Sequence, residues 1–84
     1  MVYKTKGVCS REINFEIDND VVRSVMFTGG CNGNTQGISR LIEGMNIHDA
    51  ISRIEGIDCG GRGTSCPDQL AHALKQYLQK RDDN

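Results

Sequence analysis

Hydrophobic and polar positions alternate along the first third of the chain. In "CSREINFEI", Cys9, Ile13, Phe15 and Ile17 share one parity, while Ser10, Glu12, Asn14 and Glu16 share the other. That period of two predicts a half-buried strand. "DND" (Asp18 to Asp20) reads as a turn and "VVRSVMFT" as the returning strand of a β-hairpin, with "VYKT" before Gly7 as a shorter third strand. The period then changes. Ile38, Leu41, Ile42 and Met45 repeat at helical spacing, with Asn34 or Thr35 as the expected cap and Gly44 at the end. Asn46 opens a second helix on Ile47, Ala50, Ile51 and Ile54, stopped by Gly56. A third begins at "TSCPD", where Ser65 and Asp68 resemble a capping box and Pro67 suits a first turn. Leu70, Ala73, Leu74, Tyr77 and Leu78 form its apolar stripe, and residues 79–84 are expected to fray. The expected fold is α+β, one domain over residues 1–84, with a three-stranded antiparallel meander packed against three helices.

Composition narrows what such a domain can do. At 84 residues the core is small, so a metal or a partner chain would be a useful staple. Ten basic residues against eleven acidic ones give no field to collect phosphates, which argues against nucleic acid and anionic membrane as partners. The N-terminus lacks the apolar segment of a signal peptide, and no run is long enough to span a bilayer. A cytoplasmic setting is expected, where thiols stay reduced.

The four cysteines are the main candidates for chemistry. Cys31, Cys59 and Cys66 sit at junctions beside glycine or proline, and Cys9 has the core-facing parity of its strand. A set of four thiolates suits tetrahedral Zn²⁺, which would also staple the core. The spacing is not that of paired Cys-x₂-Cys knuckles: 21, 27 and 6 residues intervene. Buried, reduced cysteines are the plainer alternative. A third reading is thiol redox chemistry, in which Cys66 is activated at a helix start near Arg62 and Cys59 resolves it.

Two glycine loops offer another site. Gly29, Gly30, Asn32, Gly33 and Asn34 lie between a strand and a helix. Gly60, Gly61, Arg62 and Thr64 precede the third helix. Backbone N–H groups there could cradle a nucleotide or another phosphate, with Arg62 as a charged partner. Tight turns with positive φ explain the same glycines. His48 and His72 read as solvated, or as substitutes should one cysteine not ligate.

"TSCPD" at Thr64 to Asp68, with "CGG" before it and "GGCNGNTQGI" upstream, resembles the small stand-alone TSCPD-domain proteins of bacteria. The likeness runs from about Tyr3 to Leu78 and includes all four cysteines. A related domain ends adenosylcobalamin-dependent ribonucleotide reductases. The resemblance therefore implies a nucleotide or a reductase-related protein as partner. The reductase chemistry itself needs a large barrel and cofactor that do not fit in 84 residues, so an accessory or binding module is implied, not a complete enzyme. A homodimer is a further expectation, since one sheet face and its edges are left open.

Overall fold

The computed structural model describes residues 1–5, 10–29, 32–57, 61 and 63–82, with the backbone alone at 10, 32–34 and 82. Three strands form one antiparallel sheet in the order β1 (Val2–Lys4), β2 (Ser10–Asp18) and β3 (Val21–Gly29). Three helices follow: α1 (Asn32–Ile42), α2 (Ile47–Ile54) and α3 (Cys66–Asp82). The α+β class expected from the pattern is the class observed.

The hairpin closes through Asn19 and Asp20, both with positive φ (52° and 62°). Two left-handed residues give a turn whose twist matches the strands, and Asn and Asp tolerate that region better than other side chains with a Cβ. Two register shifts interrupt the β2–β3 ladder. One leaves Arg11 without a partner on β3, and the other leaves Arg23 without one on β2. The second explains why Val22 and Val25 are both buried although they lie an odd number of residues apart. Arg23 and Ser24 are consecutive and both exposed, which restores the inward face after the bulge.

The connection from α1 to α2 runs along the outer edge of β3. Val22 donates its N–H to the Met45 carbonyl (2.9 Å) and accepts from Gly44 N–H (2.7 Å). Ile47 N–H donates to the Asp20 carbonyl (2.7 Å), and the Glu43 carboxylate accepts from Val25 N–H (3.3 Å). These bonds occupy backbone groups that would otherwise be open to another strand. Gly44 has φ +91°, which allows the chain to leave α1 and turn onto that edge.

The core comprises Ile13 and Phe15 of β2, Val22 and Val25 of β3, Ile42 of α1, Ile47, Ala50 and Ile54 of α2, and Leu70, Ala71, Ala73 and Leu74 of α3. Two expectations need correction. First, α1 starts at Asn32, so Asn34 and Thr35 lie inside the helix and do not cap it. The apolar repeat begins only at Ile38, and a polar first turn leaves no periodic signal to mark the start. Second, Leu41 is 70% exposed while Thr35 and Ser39 are buried. The inward stripe of α1 is Thr35, Ser39 and Ile42, spaced i, i+4 and i+7. Met45 lies beyond the helix and packs on the core from the connection.

Helix α3 continues into the segment expected to fray, and Arg81 pairs with Asp20 in the hairpin turn. Among the described residues, no helix is long and apolar enough to cross a membrane.

The two leucines give the test of this packing. Leu74→Ala should cost about 2–5 kcal/mol, and Leu41→Ala less than about 0.5 kcal/mol, in urea unfolding. Comparable losses at the two positions would contradict the rotation of α1 described here.

Candidate functional site

The "TSCPD" stretch is a helix start with a second task. Ser65 precedes α3, and its Oγ accepts the Asp68 N–H (3.1 Å), as an N-cap does. A capping box would return the Asp68 carboxylate to the Ser65 N–H. Instead, Asp68 Oδ1 accepts from Gly56 N–H (2.7 Å) and Oδ2 from the Thr64 hydroxyl (2.6 Å). Gly56 follows α2 with φ +81°, so a carboxylate in the first turn of α3 holds the end of α2. Gln69 Nε2 donates to Thr64 Oγ1 (3.0 Å), and His72 Nε2 lies 3.2 Å from Asp68 Oδ2. A second link, Lys75 with Glu55, joins the same two helices farther along α3.

Asp68 is only 5% exposed. Burial works against its charged form. The bonds from Thr64 and Gly56, together with neighbouring His72, outweigh that cost and hold its pKa below the ordinary carboxylate value. The N-terminal end of α3 favours negative charge as well.

Among the sequence candidates, Cys66 is the first residue of α3 and is half-buried. Cys9, Cys31 and Cys59, with Gly30, Gly60 and Arg62, lie outside the described residues. Asn32, Gly33 and Asn34 form the first turn of α1, so the segment before that helix is shorter than expected. Gly29, Gly61 and Gly63 all have positive φ (80°, 82° and 79°), in line with the turn reading of these glycines. Among the described residues, no group of three or more His, Cys, Asp or Glu side chains could hold a metal ion. His48 is exposed in the first turn of α2, and its N–H donates to the Asn46 cap (2.9 Å).

The described elements constrain where the cysteines attach. Ser10 pairs with Gly29, and Cys9 directly precedes the one while Cys31 follows the other by two residues. Gly56 bonds Asp68, and Cys59 follows Gly56 by three residues while Cys66 precedes Asp68 by two. β3 leads about 26 Å away from the Asn19–Asp20 turn before it reaches Gly29. α3 has Arg81 at that turn and its first residue about 22 Å back along the helix. All four cysteines are thus joined to ends of elements remote from the turn.

The role of Asp68 as a tie between helices was not evident from the sequence. The sequence marks Asp68 only as a capping-box partner of Ser65, a reading local to the start of α3 that says nothing of Gly56.

The family model of the TSCPD domain matches residues 1–78, and the chain belongs to that family. No curated protein and no solved structure matches it.

The lowered pKa of Asp68 fixes a sign. Its stabilising contribution is present in full above the unfolded carboxylate value of about 3.9, and is lost as pH falls through the lowered folded value. Asp68→Asn should therefore cost about 1–3 kcal/mol in urea unfolding at neutral pH, and much less at about pH 2.5. A gap that did not change with pH would show that the charge at Asp68 contributes nothing.

Proposed function

We propose that this TSCPD-domain protein is a small metal-binding module that holds Zn²⁺ through Cys9, Cys31, Cys59 and Cys66. The observation that carries the reading is the pairing of anchors. Ser10 with Gly29 tethers one pair of cysteine positions, and Gly56 with Asp68 tethers the other. Widely spaced thiols need the fold to gather them, because no Cys-x₂-Cys knuckle does so locally. One further feature supports it: four thiols form a complete tetrahedral donor set. The bound ion would close the ends of β2, β3 and α3 against one another and add to a small core. In this reading the protein acts in a reducing cytoplasm as an accessory to nucleotide chemistry, with a ribonucleotide reductase-related protein as its partner.

A second reading places a nucleotide phosphate at the glycine loops. It rests on the helix starts that follow these loops, Asn32 of α1 and Cys66 of α3. Backbone N–H groups in such loops and helix termini suit an anion.

Metal analysis of protein purified without chelator should find close to one equivalent of zinc. Less than about 0.2 equivalents in a folded sample excludes the metal reading. The companion measurement is thermal unfolding of wild type and Cys66→Ser, each with and without a strong chelator. The chelator should destabilise wild type by several kcal/mol and the variant hardly at all. Equal responses would leave the cysteines as packing residues, for which Cys66→Ser costs only about 1 kcal/mol.

A further inference from the structure

We propose that the outer face of the sheet carries a binding cleft for a phosphorylated sugar, formed by Lys4, Arg11, Glu12 and Thr28. These residues line a cleft of about 410 Å³, within the size range of small-ligand sites. Three of them form a row across the strands, because Lys4 faces Glu12 and Glu12 faces Thr28 in the ladder. Ile13 beside them is fully buried, so Glu12 takes the opposite, outer face.

Arg11 reaches the cleft through a break in alternation. Strict period two would turn it toward the core with Ile13. The register shift between Ser10 and Glu12 leaves it without a partner on β3, and its side chain is exposed and lines the cleft. Bulges often re-aim a side chain in this way. The backbone at the bulge is held from the other side, since Thr5 N–H donates to the Arg11 carbonyl (3.1 Å).

The charges are uncommitted. Among the described residues, no ion pair joins Lys4, Arg11 or Glu12. A guanidinium and an ammonium facing one cleft suit phosphate oxygens, the first as a bidentate fork and the second as a point charge. Glu12, opposite Lys4 and next to Arg11 in the chain, disfavours a bare phosphate. It favours a ligand that brings hydroxyl donors beside its phosphate, which a carboxylate accepts, and the Thr28 hydroxyl can donate or accept beside it. That combination describes a sugar phosphate, whether free or as the ribose phosphate of a nucleotide. The cleft shares no residue with the cysteines or the glycine loops.

The test is titration of the isotope-labelled full chain with ribose 5-phosphate, inorganic phosphate and ribose, followed by backbone amide shifts. Ribose 5-phosphate should move Lys4, Arg11, Glu12 and Thr28 together and bind at least about tenfold more tightly than either of its parts. Arg11→Gln should weaken it by about tenfold or more, and Glu12→Gln should erase the preference over inorganic phosphate. Should Arg11→Gln alter the bulge, Lys4→Gln gives the same reading from an ordinary ladder position. Shifts centred on Gly29, Gly61, Gly63 and Thr64 would assign the ligand to the glycine loops and overturn the cleft. Equal affinity for phosphate and ribose 5-phosphate, or binding unchanged in Arg11→Gln and Lys4→Gln, would overturn it too.

Discussion

The bond from the Gly56 N–H to the Asp68 carboxylate is the constraint on which the helical layer depends. It joins the residue just past the C-cap of α2 to the first turn of α3 across a connection rich in glycine. Such a connection has little apolar surface to hold it, and its glycines lose much backbone freedom on folding. One buried carboxylate answers both problems. It accepts the N–H of Gly56, just past the C-cap of α2, and the Thr64 hydroxyl, while Ser65 caps the helix that carries it. The half of α3 nearest this tie is buried on almost every side, at Asp68, Gln69, Leu70, Ala71, Ala73 and Leu74. A helix buried all round has no wide polar face, and its polar residues must bond internally. Gln69 and Asp68 do so through the same hydroxyl, Thr64.

The opposite end is held by backbone. There the segment from Glu43 to Ile47 bonds the hairpin turn and the start of β3, from Asp20 to Val25, and Arg81 returns from the end of α3 to the turn. The molecule thus has one end held at the hairpin turn and another held by the Asp68 tie at the start of α3. The first needs only main chain and common side chains. The second brings the start of α3 to the residue just past the C-cap of α2 and adjoins glycine-rich sequence. This asymmetry is a physical reason to look for a cross-link among the thiols at that end.

Much of the fold was legible because it follows simple periods. Ile13, Phe15 and Ile17 alternate cleanly, and two residues of Asn-Asp type between strands leave few choices of turn. Asn46, Gly44 and Gly56 also behave as their chemistry suggests, as cap and terminators. The misreadings have two causes: the polar first turn of α1 gave no periodic signal, and elsewhere tertiary contacts overrode local pattern. Helix α1 buries Thr35 and Ser39 and exposes Leu41 because its contact with β3 sets its rotation, and no periodicity rule ranks threonine above leucine for burial. The bulge at Arg23 changes the inward parity of β3 without any glycine to announce it, so that parity was not legible from the sequence.

The candidate site was legible as a set of residue types, and much less so as an arrangement. Sequence could name four thiols and two loops, because cysteine beside glycine is uncommon enough to notice. It could not say that Ser10 pairs with Gly29 or that Gly56 meets Asp68, since both are contacts between distant segments. These two contacts bring widely spaced cysteine positions within a few residues of shared anchors. The second contact, with the Thr64 bond, also fits an aspartate at the fifth position of the motif. A glutamate there would be one methylene longer, and would have to displace either the Gly56 N–H or the Thr64 hydroxyl from a bond of ordinary length. The motif is therefore first a device for starting α3 against the end of α2. Its cysteine, one residue past the cap, inherits a fixed position from the residues on both sides of it.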